Sequence, residues 1–207
     1  MKNPFQSARL TYRAVESTDE AFIHSLNLNP IDSANANSCL LKPASQKWSA
    51  KMHKYISENA LLGVIICLKS EETPETSEKE KEGEDGKKKE LVPIGQVHLS
   101  HSKFGEVHRG ADIGIDIKTE YQGKGYGSEA INWILNWAFQ SGGVHRVGID
   151  AFEYNERACR LYEKLGFTRD GRLREAMWFD GRWWDSLEFS MLEQEWRERG
   201  KVVRLLE

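Results

Sequence analysis

The sequence predicts an α/β fold of the α+β type, with about seven strands flanked by helices. Three observations carry this expectation. From residue 108 onward, alternating apolar stretches (Ile113, Ile115, Ile117, then Val147, Ile149, Ala151) give way twice to helical ones, over 128–140 and 156–165. Residues 61–68, Leu-Leu-Gly-Val-Ile-Ile-Cys-Leu, form an unbroken apolar run of strand length, suited to a strand covered on both faces. Finally, Asp180-Gly181 stands between Trp178-Phe179 and Trp183-Trp184, a hairpin signal, because both turn positions must accept positive φ.

Taken in order, residues 9–15 alternate and are β-prone, which predicts a first strand. Asp19 is placed to cap a helix carrying Ala21, Phe22, Ile23 and Leu26, and the turn-rich residues 27–38 read as a loop. Ser45 opens a second helical stretch with Trp48, Met52, Tyr55 and Ile56 at helical spacing. After the apolar strand at 61–68, residues 93–99 resume strand character, and residues 111–118 form the next strand. In the helix over 128–140, Glu129, Asn132, Asn136 and Gln140 make one wet stripe on an otherwise apolar cylinder, so it packs against a sheet. Asn155 suits an N-cap and Gly166 a C-terminal stop for the helix between them. A strand from Phe167, the Asp180-Gly181 hairpin, a last strand through Leu187, Phe189 and Met191, and a helix over 193–206 complete the chain.

Residues 70–90 are different material: nine acidic residues, five lysines and no aromatic or branched aliphatic side chain. Such a segment cannot bury enough apolar surface to offset its ordering entropy, and we expect a disordered insertion in a single domain spanning 1–207. A formal net charge of −3 argues against a general nucleic-acid binder. The longest apolar run is too short to cross a bilayer, and no apolar signal core follows the N-terminus. An odd set of three separated cysteines, Cys39, Cys67 and Cys159, suits reduced thiols in the cytoplasm, with the nucleus not excluded. His98, His101 and His108 lack metal-ligand spacing, and no metal is expected.

The chemistry is concentrated in Tyr121-Gln122-Gly123-Lys124-Gly125-Tyr126-Gly127-Ser128, which joins a strand to a helix. Glycine lets another group approach the backbone, and the first turn of the helix leaves N–H groups unpaired at the positive end of its dipole. That combination suits phosphate or diphosphate. The spacing Gln122-x-x-Gly125-x-Gly127 is neither a Walker loop nor a dinucleotide fingerprint; it resembles the loop of the GNAT acyl-CoA N-acyltransferases. Asn155-x-x-Ala158-x-x-x-Tyr162-x-Lys164-x-Gly166-Phe167 is similar to that family's second motif and follows after one strand, as it should. Gly171-Arg172-Leu173-Arg174, Asp180-Gly181, Asp185 and Glu195-Trp196 resemble the branch represented by RimJ and RimL. The resemblance spans residues 9–196 and lapses only at 70–90.

The resemblance implies a GNAT fold, a mixed central sheet of about seven strands that splays between the fourth and fifth strands, with acetyl-CoA as co-substrate in the gap. It implies direct attack of a primary amine, either a protein N-terminal α-amine or a small amine, in a ternary complex. The cofactor would be held by Gln122, Gly123, Lys124, Gly125, Tyr126, Gly127, Ser128 and Asn155. Backbone N–H near Ile117, in a bulged and splayed strand, would receive the thioester oxygen. Tyr162 occupies the family's position for the acid that protonates the leaving thiolate. Asp112, or Asp116 on the same strand face, would take the proton of the amine. A non-catalytic acyl-CoA-binding module is the alternative reading, and a monomer or a homodimer is equally compatible. Cys159, mid-helix and without a local base, is expected to be a packing residue.

Overall fold

The computed structural model describes residues 3–69 and 91–204. Its elements are β1 (Leu10–Ala14), α1 (Glu20–Leu26), α2 (Pro30–Ala36), α3 (Gln46–Lys54), β2 (Leu62–Leu68), β3 (Val92–His101), β4 (Gly110–Ile117), α4 (Tyr126–Gln140), β5 (Arg146–Phe152), α5 (Glu156–Lys164), β6 (Thr168–Phe179), β7 (Arg182–Leu192) and α6 (Glu193–Arg204). Seven strands form one sheet in the order β1-β2-β3-β4-β5-β7-β6. All neighbours are antiparallel except β4 and β5. The expected mixed sheet is therefore present, and the insertion expected at 70–90 lies outside the described residues.

Side-chain alternation decides which helix covers which face. On β2, Val64, Ile66 and Leu68 join a large core with Ala130, Ile131, Ile134 and Leu135 of α4, whereas Ile65 and Cys67 pack with Ile23 and Ile56 on the other face. This strand is covered on both sides, as its continuous apolar run requires. The wet stripe of α4 also falls where the pattern places it, with Asn132, Asn136 and Gln140 exposed. Asp180 and Gly181 both have positive φ, 51° and 75°, and close the β6–β7 hairpin.

Three local expectations are corrected. Asp19 does not cap α1; its carboxylate instead accepts from the Glu16 N–H at 2.8 Å and from both terminal nitrogens of Arg13 at 2.7 Å. Residues 27–38 are not all loop, because Asn29 accepts from the N–H groups of Ile31 and Asp32 and Pro30 takes the first helical position of α2. The strand β4 is not bulged: its register with β3 runs unbroken from Gly95 opposite Ile117 to His101 opposite Ala111.

The feature that positions the site is the brevity of the β4–β5 ladder. Only Gly110, Ala111 and Asp112 pair with Arg146, Val147 and Gly148, after which the strands diverge. Ser102 N–H donates to the Gly110 carbonyl and Lys118 N–H to the Ile94 carbonyl. Even-numbered residues of β4 are therefore spent on β3, and beyond the last rung Ile115 and Ile117 turn their backbone groups to the gap.

Candidate active site

The gap widens into a cleft of about 800 Å³ lined by β4, β5, α2, α5 and part of the β6–β7 hairpin. Asp112, Asp116, Ile117, Gln122, Gly127, Asn155 and Tyr162 all line it. The structure thus brings together seven of the residues singled out in the sequence. Gly123, Lys124, Gly125, Tyr126 and Ser128 build the loop at its rim without lining it, and the Tyr126 ring is buried in the core.

At the loop, Gly123 and Gly125 have φ of 75° and 85°, a left-handed conformation that side chains resist. A Cβ added at Gly123 or Gly127 would meet no protein atom within 4 Å, so the space over both is open. The N–H groups from Gly123 to Ser128 find no protein acceptor among the described residues, since Glu129 N–H is the first to return to the helix, bonding the Gly125 carbonyl at 3.1 Å. These N–H groups form a concave donor set, and a diphosphate fits it.

Gln122 reaches across the cleft. Its amide donates to the Ile117 carbonyl at 2.9 Å and to Asp32 at 3.1 Å, while its oxygen accepts from Arg157 at 3.1 Å. Asp32 also accepts from the Thr119 hydroxyl. On the opposite wall the Tyr154 hydroxyl, its pKa pushed up to about 12 by burial, donates to the Ala34 carbonyl at 2.7 Å. The Asn155 oxygen caps α5 through Ala158 N–H at 3.2 Å, leaving its NH₂ to reach the Asn35 carbonyl at 3.4 Å. The short helix α2 therefore straddles the gap. Its Asp32, with Arg157 of α5, was missed in the sequence; the Asn29-Pro30 start signal could have revealed the helix, but nothing local reveals that Asp32 meets Gln122.

Tyr162 is buried against Phe167 and Phe189, with ring centroids 6.0 and 5.8 Å away, and lines the cleft. Burial, then the charges of Cys159, Asp116 and Asp150, push its hydroxyl well above the usual tyrosine range. It stays protonated at any ordinary pH, so its O–H is available as a donor. Cys159 beside it is buried, and its thiol contacts the Phe152 carbonyl at 3.7 Å.

The carboxylates form the other half. Burial raises the pKa of Asp116, against a hydrogen bond from the Gln96 amide at 2.7 Å. Gln96 in turn accepts from Nδ1 of His98 at 2.9 Å, which fixes that tautomer. Burial pushes the imidazole pKa down to about 4, so His98 is neutral; its ring occupies the space that a side chain at Gly114 would need. Asp112 is likewise raised, first by burial and also by Glu188, against the lowering charges of Arg146 and Lys103. Asp150, unremarked in the sequence, lines the same cleft and is raised by burial, Glu188 and Asp112. Among the described residues no group of three or more His, Cys, Asp or Glu could hold a metal ion, and no helix is long and apolar enough to cross a membrane.

A sheet opened after three parallel rungs, with a glycine loop of N–H groups at one edge and a buried tyrosine at the other, is an arrangement suited to an acyl-CoA-dependent transferase. The family described as "Acetyltransferase (GNAT) domain" matches residues 9–168, and the chain belongs to it. A spermidine N(1)-acetyltransferase of Vibrio cholerae is 28% identical over 198 residues, covering 94% of this chain and 99% of that protein. The crystal structure of a Vibrio cholerae spermidine N-acetyltransferase with CoA and spermine superposes with a TM-score of 0.69 at 27% identity, over 92% of this chain and 99% of that one. The [ribosomal protein uS5]-alanine N-acetyltransferase of Escherichia coli is 27% identical over 103 residues, 50% of this chain and 53% of that protein. The chain is an N-acetyltransferase that uses acetyl-CoA.

Proposed function

We propose that the whole chain acts in the cytoplasm as one catalytic domain that acetylates a small polycationic amine, in preference to a protein N-terminus. The observation that carries this reading is the composition of the cleft wall. Asp32, Asp112, Asp116 and Asp150 all line it, and Arg157 is its one cationic side chain among the described residues. Three of those carboxyls have raised pKa values because burial leaves their charge poorly solvated. A protonated polyamine supplies the missing countercharge. The extent of the match supports the same reading, since the Vibrio cholerae spermidine enzyme aligns with nearly the full chain and the ribosomal-protein enzyme with half of it. The RimJ/RimL-like features of the tail then mark shared ancestry rather than a shared acceptor.

Acetyl-CoA supplies an activated acyl group, and the residues of the chain do the rest. The N–H groups from Gly123 to Ser128 hold the diphosphate. Backbone N–H at Ile115 or Ile117, facing the gap, donates to the thioester oxygen as it gains charge. The amine arrives protonated, with an ordinary pKa of about 10.4, so Asp112, or Asp116 in concert with Gln96, takes its proton before attack. Asp112 has the better access and Asp116 the higher burial penalty; both lower the energy of the bound cation. Tyr162 donates its proton to the departing thiolate, and no covalent enzyme intermediate is needed.

Thiol release from acetyl-CoA, followed with spermidine, spermine and short peptides bearing a free N-terminal alanine, tests the proposal. A kcat/KM at least tenfold higher for the polyamines, about 1.4 kcal/mol of discrimination, is expected. A preference for the peptides overturns the acceptor assignment. Release with none of them, despite CoA binding, favours the non-catalytic acyl-CoA-binding module.

A further inference from the structure

The underside of the diphosphate loop is tied to the N-terminal segment. The Glu129 carboxylate, one turn into α4, accepts from the Ser7 hydroxyl at 2.6 Å, from Arg9 N–H at 2.7 Å and from Arg9 Nε at 2.8 Å. Arg9 Nη1 donates to the Lys124 carbonyl inside the loop at 3.0 Å. Its guanidinium lies over the Tyr126 ring, 4.5 Å from the centroid, and its Nη2 is 3.2 Å from where a Cβ on Gly125 would stand. One planar side chain thus touches Lys124, Tyr126 and Glu129, and stands where a side chain on Gly125 would need to go. The same segment is anchored further along α4, where Trp133 Nε1 donates to the Pro4 carbonyl at 2.8 Å and stacks on Tyr12 at 3.7 Å.

The electrostatics of this arrangement are specific. A carboxylate in the first turn of a helix is favourable for an empty helix and unfavourable once a diphosphate occupies the same positive end. Burial pushes the Glu129 pKa up, but the bonds from Ser7 and Arg9 outweigh it and hold the group ionised below the usual glutamate range. The charge beside the anion cradle is therefore permanent, and Arg9 is the cation that cancels it. Arg9 does not line the cleft, and has no contact with the space where acyl transfer would occur.

We propose that Arg9 is a positioning residue for acetyl-CoA: paired with Glu129, it holds the diphosphate loop from behind and neutralises the carboxylate beside the cradle, setting affinity for the diphosphate-bearing part of the donor and nothing else. The inference rests on the acetyl-CoA reading of the loop. A lysine cannot replace the planar fork that reaches Glu129 and Lys124 together, although it restores the charge.

The test compares acetyl-CoA with S-acetylpantetheine, which carries the thioester and both amides but no diphosphate, as donors for the wild type, Arg9→Lys, Arg9→Ala, Glu129→Gln and the Arg9→Ala/Glu129→Gln double variant. Arg9→Ala is expected to raise KM for acetyl-CoA by about tenfold or more, a typical cost for a charge-assisted pair, with kcat within about twofold. KM for S-acetylpantetheine should stay put. Arg9→Lys should fall between the two. Adding Glu129→Gln to Arg9→Ala should recover part of the loss, because the unpaired carboxylate is gone. Equal losses for both donors, or a fall in kcat alone, would show that Arg9 only supports the fold and overturn the proposal. Should Arg9→Ala fail to fold, the donor dependence of Glu129→Gln and Arg9→Lys decides in the same way. A wild type that does not favour acetyl-CoA over S-acetylpantetheine overturns instead the loop reading beneath, a failure visible before any variant is made.

Discussion

The two walls of the cleft are built on opposite principles. The wall proposed to hold the cofactor is a main-chain device: positive φ at Gly123 and Gly125, open space over Gly127, and N–H groups at the start of α4 with no acceptor among the described residues. The acceptor wall is a side-chain device in which Asp32, Asp112, Asp116 and Asp150 arrive from three separate elements. A backbone cradle demands particular residue types at fixed spacing, whereas a side-chain wall demands only that a carboxylate arrive from somewhere. The first therefore constrains sequence tightly, and the second constrains the folded shape.

Replacements on the two walls should fail in different ways. The largest effect is expected where they meet. Tyr162→Phe removes the proposed proton donor while keeping the ring against Phe167 and Phe189, so kcat should fall about 10²–10⁴-fold with acetyl-CoA affinity and Tm nearly unchanged. Because burial raises this hydroxyl, any alkaline fall in wild-type rate due to its ionisation should lie above about pH 10. Unchanged single-turnover chemistry in a rapid-quench experiment would reduce Tyr162 to a core residue.

On the cofactor wall, Gly125→Val forces a branched side chain into φ 85° beside Arg9, and we expect CoA affinity measured by calorimetry to drop by about 100-fold. Gly127→Ala separates strain from contact. Its Cβ meets no protein atom, so Tm should hold while CoA affinity falls by about tenfold, the methyl intruding where the diphosphate approaches. Full CoA affinity in a folded Gly125→Val protein would collapse the distinction between the walls.

On the acceptor wall, Asp112→Asn should raise KM for a polyamine severalfold and leave KM for acetyl-CoA alone. It should also raise Tm at neutral pH. A carboxyl whose pKa is raised in the fold contributes stability only below its unfolded value, near 3.8, and loses it as pH rises through the raised value. Asparagine escapes that loss, so the gain in Tm should vanish as pH drops toward 4. A neutral-pH loss of Tm in Asp112→Asn would mean the carboxylate is paired rather than stranded. The smallest effect is reserved for replacing residues 71–89 by a short Gly/Ser bridge. Leu68 and Val92 are already paired neighbours, so a turn can join them, and both Tm and turnover should be nearly unchanged.

The same contrast explains what was legible in advance. The glycine loop, the helix α4 and the Asn155-to-Phe167 stretch could be placed because turn geometry, a cap and a one-sided wet stripe are local properties. Asn155 does cap α5, and Gly166, at φ 79°, does follow its end. The strand β6 could be started at Phe167 but not followed, since its two register shifts against β7, at Arg169/Gly171 and Leu173/Met177, answer to the partner strand. The helix α2 was legible in Asn29-Pro30 and lost among the turn formers around it. Asp32, Asp150 and Arg157 were beyond reach, because a lone charged residue has no signature until distant elements converge on it. Asp19 illustrates the converse: its local pattern suits a cap, and Arg13 wins the carboxylate instead.

The three-rung ladder between β4 and β5 makes the sheet two half-sheets with a seam. β1 to β4 carry α4 and the cradle, and β5 to β7 carry α5 and Tyr162. Away from the rungs the halves are stitched by Tyr154 to Ala34, Asn155 to Asn35 and Arg157 to Gln122. Local opening at such a seam costs less than global unfolding, so amide hydrogens at Ile115 and Ile117, beyond the last rung, should exchange with solvent early, well before those of β2 or β3. Pantetheine carries two amides, and under the function proposed above they would lie in that slot. A donor held there would act as a missing strand as much as a reagent, and deuterium uptake along both lips of the seam should slow together when acetyl-CoA is added.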